Sequence, residues 1–246
     1  MARITSKDEL MPDTWLIWVE APAIAAAARP GQFVMVRCSD SYDPLLRRPL
    51  SIHRLAGKGP SSQIALLFEV VGKGTEWLAC RKEGDNLNLL GPLGKGFSIP
   101  PTSHNLLLVA GGMGIAPLVA LADRAVAEGR FVALLMGAKS KERLYPSSNL
   151  PLEIELDVAT EDGSEGRMGM ATDRLPDFLT WADQVYACGP VSMYHAIAAL
   201  QPFPRRATQV LLESPMACGL GGCYGCVIAT KHGLKRICKD GPRFDL

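Results

Sequence analysis

Four cysteines lie within the last 29 residues of the chain and are the residues best suited to metal or redox chemistry. Cys218, Cys223 and Cys226 stand in the glycine-rich stretch MACGLGGCYGC, and Cys238 follows after eleven further residues. The N-terminal MARITSKDEL has no apolar signal region, and no apolar run is long enough to span a bilayer. We therefore expect a soluble cytoplasmic protein, in which clustered cysteines bind metal or carry electrons rather than form structural disulfides.

The spacing of these cysteines, C-x4-C-x2-C-x11-C, distinguishes between the possible metals. Its first three members have the spacing of plant-type [2Fe–2S] centres, in which four thiolates converge on two irons. The intervening glycines let the backbone approach closely and turn N–H groups towards the sulfur atoms. The main alternative is a structural zinc site, although zinc ribbons use two C-x2-C pairs and this segment has one. Four unligated thiols are the remaining reading, which the density of cysteines disfavours.

The composition is that of a globular protein with a nearly neutral surface. Of its 246 residues, 48% are hydrophobic and 21% are charged, and the formal net charge is +1. This length allows one large or two ordinary domains with buried cores. The small net charge gives no long-range attraction to nucleic acid or anionic lipid.

The chain divides into three regions that predict an α+β multidomain protein. In residues 1–100, short β-type runs alternate with turn-forming clusters, which is typical of a small antiparallel β-barrel. In residues 101–212, strand and helix patterns alternate, which predicts a Rossmann-like α/β domain with a mostly parallel sheet. Residues 213–246 form the small cysteine segment. The predicted barrel strands are 15–20, 32–38, 49–55, 63–71 and 86–91.

Two segments of the predicted barrel have the residue types that bind a phosphate-bearing cofactor. RRPLSI (47–52) places an arginine at the start of a strand, and GKGTEWL (72–78) places Gly74 and Thr75 at a predicted helix start. Backbone N–H groups at such a helix start attract phosphate. Taken alone, RPLS is equally typical of an edge strand with a surface charge.

The succession of RPLS, GKGT and GPLGKGF resembles the FAD-binding barrel of the ferredoxin–NADP reductase superfamily. The resemblance implies that the arginine meets the flavin phosphates and that the serine hydrogen-bonds the isoalloxazine edge. Leu50 stands where many members carry an aromatic residue. The implied FAD-binding residues are Arg48, Pro49, Leu50, Ser51, Leu67, Phe68, Glu69, Gly74 and Thr75.

A glycine-rich turn in the second region has the form of a dinucleotide site. In VAGGMGIAPLVALA, Gly112 and Gly114 lie between a predicted strand and a helix, as in the turns that approach a pyrophosphate. ACGP (187–190) also ends a strand and starts a helix. Both segments resemble the NAD(P)-binding segments of the same superfamily, which implies that Gly112, Gly114, Cys188 and Gly189 contact the nucleotide.

A polar loop and three basic residues of the second region are further candidates for nucleotide contacts. ATEDGSEGRMG (159–169) follows a predicted strand at the edge where α/β sheets bind ligands. Lys139, Lys141 and Arg143 are suited to a 2′-phosphate but equally to a solvated loop. The choice between NAD and NADP therefore stays open at this point.

A flavin barrel, a nicotinamide domain and a [2Fe–2S] segment occur in the order of an electron-transfer flavoprotein. The chain resembles the electron-transfer subunits of dihydroorotate dehydrogenase B, which implies FAD, [2Fe–2S] and NAD as cofactors. It also implies an FMN-containing catalytic partner that oxidises dihydroorotate, in a heterotetramer of two of each subunit, and a role in pyrimidine (UMP) biosynthesis. No catalytic residue is expected here, since the cofactors carry the redox chemistry. The implied cluster ligands are Cys218, Cys223, Cys226 and Cys238.

Two other functions remain compatible with these patterns. One is a flavoprotein subunit of another complex, such as a hydrogenase, a sulfide dehydrogenase or an NADH-dependent ferredoxin:NADP oxidoreductase. The other, of a different class, is a non-catalytic nucleotide-binding module stabilised by zinc.

Overall fold

The computed structural model describes residues 1–39, 41–200 and 208–246. The chain forms two compact units. The first comprises Met1–Gly96 with Leu212–Arg243, and the second comprises Phe97–Leu211 with Phe244–Leu246. The cysteine segment is thus grouped largely with the first unit, and the division into three domains stays a prediction.

The first unit is built on one antiparallel sheet in which the strands follow the order β6-β1-β2-β5-β4-β3-β7. The two edge strands, β6 and β7, come from adjacent stretches of chain, so the sheet curls round into a nearly closed barrel. This confirms the predicted barrel. Its elements are β1 (Ala2–Met11), β2 (Thr14–Glu20), α1 (Pro22–Ala27), β3 (Phe33–Val36), β4 (Arg48–Ala56), β5 (Gln63–Glu69), α2 (Lys73–Ala79), β6 (Asn86–Leu87) and β7 (Leu89–Leu93).

The barrel interior is filled by side chains from alternate strand positions. On β5, for example, Ile64, Leu66 and Phe68 all enter the core, as expected for residues that share one face of a strand. Burying such aliphatic and aromatic groups contributes about 1.5–3 kcal/mol per side chain. The other large members of this core are Ile4, Ile17, Val19, Val34, Val36, Ile52, Leu78 and Leu87.

The second unit contains a mainly parallel sheet with the order β11-β10-β9-β8-β12-β13. The chain runs outward from β8 to β10 on one side and then continues with β12 on the other side of β8. The direction of winding therefore reverses at β8, and ligands of open α/β sheets bind where such a reversal occurs. The elements are β8 (Asn105–Gly111), α3 (Ile115–Ala127), β9 (Phe131–Ala138), β10 (Glu155–Thr160), β11 (Arg167–Met168), α4 (Leu175–Phe178), β12 (Gln184–Cys188), α5 (Val191–Ala199) and β13 (Thr208–Leu211).

The sequence around α3 accounts for both ends of this helix. Pro117 lies in its first turn, where a missing backbone N–H leaves no helical hydrogen bond unmade. Gly129 follows its last turn with a φ of +72°, which a glycine adopts without steric cost. Between these ends the helix buries Leu118, Val119 and Leu121. In the described part of the chain, no helix is both long and apolar enough to cross a membrane.

The cysteine segment contains a short hairpin and one turn of helix. These elements are β14 (Val227–Thr230), β15 (Gly233–Arg236) and α6 (Ile237–Asp240). The last strand, β16 (Arg243–Asp245), lies next to β13 in the sheet order of the second unit. The glycine-rich loop that carries the first three cysteines has no regular secondary structure, so the positions of its thiols depend on local hydrogen bonds.

Candidate functional site

The four clustered thiols form two pairs within the first unit. Cys218 and Cys223 are hydrogen-bonded to each other through their side chains, and so are Cys226 and Cys238. A backbone N–H of the loop also points at the first pair, since Leu220 N donates to Cys218 Sγ at 3.3 Å. Cys238 N donates to Cys226 Sγ at 3.5 Å. The glycine-rich loop thus provides the inward-pointing N–H groups that bound thiolates require.

Cys218 and Cys238 have opposite electrostatic surroundings. Hydrogen bonds from the backbone N–H groups of Leu220 and Cys223 lower the pKa of the Cys218 thiol to about 6, which favours the thiolate that binds metal. Burial raises the pKa of Cys238 to about 12, and its hydrogen bond with Cys226 acts in the same direction. A metal that bound Cys238 would therefore have to displace a proton from a buried thiol.

The arrangement of the four thiols in two pairs is compatible with a two-iron group. A [2Fe–2S] group distributes four cysteine ligands over two irons, which two adjacent thiol pairs can supply.

The other three cysteines lie apart from this loop, and all seven are free thiols. Cys38 is buried, with 1% of its surface exposed. Cys80 follows the last turn of α2 and is exposed.

The residues predicted to bind FAD are brought together in the first unit by β4, β5 and α2. Arg48–Ser51 lie at the start of β4 and pair with β3. A Cβ placed on Gly74 would lie 2.7 Å from Arg48 Nε, so the arginine lies directly against the start of α2. Gly74 is therefore required for this contact. Of the three β5 residues, Leu67 and Phe68 are 2% exposed, and Glu69 is the last residue of the strand.

Thr75 holds the turn that leads into α2. Its hydroxyl accepts hydrogen bonds from Val71 N at 2.9 Å and Gly72 N at 3.2 Å, and it donates to Gly72 O at 3.0 Å. This is the geometry of an N-terminal helix cap. The hydroxyl is thus engaged within the turn, and a contact between Thr75 and a phosphate stays a prediction.

A cavity of about 320 Å³ opens at the carboxyl ends of the parallel strands in the second unit. Strands β8, β9 and β12 all end at it, which matches the edge predicted for nucleotide binding. It brings the predicted Gly112 close to the polar loop after β10, which contributes Glu161. The residues that line the cavity include Gly111, Gly112, Lys139, Glu161, Pro190 and Met193.

The glycines of the dinucleotide turn have different structural roles. Gly112 has a φ of +53° and open space where a side chain would stand, so its backbone is accessible to a ligand. A Cβ on Gly114 would lie 1.9 Å from the Cys188 carbonyl oxygen, so here the backbones of two strand ends touch. Gly189 is less confined, since its Cβ would lie 2.8 Å from the mobile end of the Met193 side chain and 3.1 Å from the Gly111 backbone. Cys188 is 1% exposed, and its contact with a nicotinamide ring stays a prediction.

The three basic residues after β9 separate into different environments. Lys139 lines the cavity together with Glu161. Lys141 is paired with Glu165 at 3.0 Å, and Arg143 follows it in the same exposed turn. Only Lys139 of these three is among the residues that line the cavity.

Tyr194 is a site residue that the sequence patterns did not indicate. Its hydroxyl accepts a hydrogen bond from Gly189 N at 3.0 Å and donates one to Leu211 O at 2.5 Å, and the side chain is buried. The tyrosine on α5 thereby fixes the turn that follows β12 at the edge of the cavity. A tyrosine in an apolar helix gives no sequence signal of its own, because residue type does not indicate which backbone groups its hydroxyl will meet.

Replacing Tyr194 with Phe is expected to destabilise the folded chain by about 1–3 kcal/mol, because one buried and one half-buried backbone group lose their hydrogen-bond partner. Chemical denaturation of the full chain measures the effect. Tyr42→Phe is the matched control, since the Tyr42 side chain is 89% exposed. Equal unfolding free energies for the two variants would contradict the role assigned to Tyr194.

Similarity to known proteins extends over nearly the whole chain. Residues 213–246 match the family model described as the iron-sulfur cluster binding domain of dihydroorotate dehydrogenase B. The electron transfer subunit of dihydroorotate dehydrogenase B (NAD(+)) from Desulforamulus reducens is 38% identical, with 99% of this chain and 95% of that protein aligned. The chain belongs to the family of dihydroorotate dehydrogenase B electron transfer subunits.

Other members of the dihydroorotate dehydrogenase B family and several solved structures agree with this assignment. The electron transfer subunit from Bacillus caldolyticus is 36% identical, with 98% of this chain and 94% of that protein aligned. A solved structure of an NADH-dependent reduced ferredoxin-NADP oxidoreductase is 30% identical to this chain, with a TM-score of 0.85 and coverage of 99% and 87%.

Two more distant structures support only the fold assignment of this dihydroorotate dehydrogenase B subunit. The ferredoxin reductase of carbazole 1,9a-dioxygenase has a TM-score of 0.70 at 21% identity, with 85% of this chain and 67% of that one covered. Ferredoxin-NADP+ reductase from Plasmodium falciparum has a TM-score of 0.67 at 14% identity, with 86% and 95% covered. The predicted ferredoxin–NADP reductase fold and the predicted family are both confirmed.

Proposed function

We propose that this chain passes electrons from the FMN of a dihydroorotate-oxidising catalytic subunit, through a [2Fe–2S] cluster and FAD, to NAD⁺. The cofactors follow from the family, its iron-sulfur domain and its reductase fold. A nicotinamide exchanges two electrons as hydride and an iron–sulfur cluster exchanges one, and a flavin can do both, so FAD belongs between them.

One contact within the first unit carries this proposal. A Cβ on Gly219, next to Cys218, would lie 2.6 Å from Met35 Cγ, so the cysteine loop packs directly on β3. Met35 is in turn paired with Pro49 of the RPLS segment on β4. A single strand therefore separates the thiol loop from the segment proposed to hold the flavin. This proximity supports direct electron transfer between the two cofactors.

The chain's own residues bind and orient the cofactors in this proposal. Cys218 and Cys223 would supply one pair of cluster ligands, and Cys226 and Cys238 would supply the other. In the barrel, Arg48 and the backbone around Gly74 and Thr75 would bind the flavin phosphates. The remaining residues proposed to bind the flavin are Pro49, Leu50, Ser51, Leu67, Phe68 and Glu69.

The cavity of the second unit is the proposed NAD site. Gly112 offers accessible backbone to the pyrophosphate, while Gly114 and Gly189 keep the two strand ends close enough to form the turn. Glu161 at the cavity favours NAD, because a carboxylate hydrogen-bonds a ribose 2′-hydroxyl but repels a 2′-phosphate. The Cys188–Gly189 turn would then face the nicotinamide.

The family name implies a catalytic partner, and we propose that this partner contains FMN and oxidises dihydroorotate to orotate. The complex would be a cytoplasmic heterotetramer with two copies of each subunit, acting in pyrimidine (UMP) biosynthesis.

Co-purification from the native organism tests this function. The tagged chain is expected to bring with it an FMN protein that oxidises dihydroorotate, and the complex should show flavin and iron–sulfur absorbance that NADH bleaches. Recovery of a hydrogenase or ferredoxin-linked partner would instead support a subunit of another complex. A colourless preparation containing one zinc would contradict electron transfer altogether.

Replacing Arg48 with Ala is expected to weaken FAD binding by roughly 10- to 100-fold, the equivalent of one charge-assisted hydrogen-bonding group worth about 1.5–3 kcal/mol. Fluorescence titration of the FAD-depleted chain measures the affinity. Arg29→Ala is the control, because Arg29 is an exposed arginine of the same unit. Unchanged FAD affinity in the Arg48 variant would remove this residue from the proposed flavin site.

A further inference from the structure

Arg236 links the two arms of the cysteine segment. The first arm is the loop with Cys218, Cys223 and Cys226, and the second is β15 and α6, which carries Cys238. Arg236 is the last residue of β15, two positions before the fourth cysteine. Its Nη1 donates to Gly221 O at 3.1 Å, in the middle of the first arm. One side chain therefore ties the fourth cysteine's arm to the other three.

A second arginine contact reaches the same loop at Tyr224. The guanidinium carbon lies 5.3 Å from the Tyr224 ring centroid, within the range of a cation–π interaction. Tyr224 has a φ of +59°, a left-handed conformation that is unfavourable for a residue with a side chain. Its side chain is also 64% exposed, so little else in its surroundings restrains it. Arg236 supplies a restraint where the loop is strained.

Asp240 orients the guanidinium for these contacts. Its Oδ2 accepts hydrogen bonds from Arg236 Nε at 3.1 Å and from Arg236 N at 2.9 Å. This fixes the plane of the guanidinium and leaves Nη1 directed at Gly221. The side chains of Arg236 and Asp240 are 23% and 28% exposed, so the pair is largely shielded from water. A lysine at this position could not replace the planar fork that bridges Asp240 and Gly221.

The loop is confined at Gly221 from a second direction. Gly221 has a φ of +79°, and a Cβ there would lie 2.7 Å from Lys239 Cδ. Lys239 follows Cys238 directly, so the side chain of Lys239 packs the second arm against Gly221 of the first arm. Two hydrogen bonds from the backbone of the second arm complete the junction, from Ile237 N to the Cys226 carbonyl oxygen at 3.0 Å and from Cys238 N to Cys226 Sγ at 3.5 Å.

We propose that Arg236 is a positioning residue that holds the arm of Cys238 against the loop of Cys218, Cys223 and Cys226, and so keeps the cluster bound. This rests on the proposed function, in which those cysteines hold a [2Fe–2S] group. The guanidinium also places a positive charge near Cys238 and against the loop of the other three cysteines, which favours the reduced and more negative state of the site. Arg236 thus acts on both the retention and the reduction potential of the bound cluster.

The test compares three variants in the full chain, Arg236→Lys, Arg236→Gln and Asp240→Asn. Lys231→Gln is the control, because Lys231 is an exposed cation of the adjacent hairpin turn. The measurements are the rate of iron release to a chelator, the iron content per FAD and the midpoint potential of the cluster. Bound FAD shows that the barrel of each variant is folded.

Arg236→Gln is expected to release iron roughly 10- to 100-fold faster than the native chain, the usual effect of losing a partner that orients metal ligands. Its midpoint potential should fall, since the positive charge is lost. Arg236→Lys should release iron faster while its potential stays near the native value. Asp240→Asn should also release iron faster, because the guanidinium is no longer oriented.

The outcomes separate this role from the proposed function. A native chain that takes up no iron contradicts the cluster itself. If the native chain holds a stable cluster and Arg236→Gln retains iron equally well at the same midpoint potential, the role of Arg236 is overturned and the proposed function stays intact. If Arg236→Gln fails to retain FAD, iron release from Arg236→Lys and Asp240→Asn decides, and native rates in both overturn the proposal.

Discussion

A Cys223→Ser chain is expected to lose its iron–sulfur cluster and all electron transfer from the catalytic partner, while it keeps FAD. Cys223 is hydrogen-bonded to Cys218, so its loss removes half of one thiol pair. A serine hydroxyl is a far weaker ligand than a thiolate because it stays protonated at neutral pH. Iron and acid-labile sulfide analysis should find little of either element, and the visible spectrum should become that of a flavin alone.

Cys80→Ser is the matched control for this experiment. Cys80 is also an exposed free thiol of the first unit, but it lies after α2 and away from the loop. This variant should keep the full iron content. NADH should still reduce the FAD of the Cys223 variant, because the nucleotide cavity belongs to the other unit. A Cys223→Ser chain with native iron content and native spectrum would show that the ligand assignment is wrong.

The sequence could predict the cysteine site because the spacing of its ligands is local. Three of the four thiols lie within nine residues, and glycines such as Gly219 and Gly221 mark the places where the loop needs positive φ. The contacts that organise this loop are not local. Arg236 reaches Gly221 from a separate hairpin, and neither residue type indicates its partner. Spacing therefore predicted the ligands but not the side chain that joins them.

The fold was predictable to a similar depth. Strands with dense apolar residues, such as β5 and β8, were placed correctly, but β1 was missed. The ten residues of β1 contain few large apolar groups. Ile4 is fully buried, but most residues of the strand are partly or fully exposed. Such a strand forms because β2 offers it a complete antiparallel partner rather than because of its own pattern.

The grouping of the cysteine segment with the barrel was also beyond the sequence patterns. It depends on the packing of Gly219 against Met35 and Leu93, residues that are far away in the chain. Long-range contacts of this kind leave no periodicity that a single sequence can show. Tyr194 could not be predicted for the same reason, since it lies on α5 and its partner Leu211 lies on β13.

A Gly114→Ala chain is expected to reduce its FAD with NADH at least about 100-fold more slowly, since a displacement of about 1 Å at a reacting centre has effects of this size. The added Cβ would lie 1.9 Å from the Cys188 carbonyl oxygen and 2.8 Å from Gly189 N. Both contacts are with backbone, so the clash cannot be relieved by a change of side-chain rotamer. The ends of β8 and β12 must separate, and the proposed NAD site lies between them.

Stopped-flow measurement of flavin bleaching by NADH gives the rate, and iron and FAD contents report on the other unit. Gly129→Ala is the control, because Gly129 has a φ of +72° and open space around it at the end of α3. That variant should lose about 1–2 kcal/mol of stability from its left-handed backbone but keep the rate of hydride transfer. If Gly114→Ala kept native bleaching while retaining FAD, the turn after β8 would not bind the dinucleotide. If NADH bleaches the flavin slowly in Gly114→Ala but at the native rate in Gly129→Ala, the defect lies where the two strand ends meet. A general loss of stability in the α/β unit would not explain that difference.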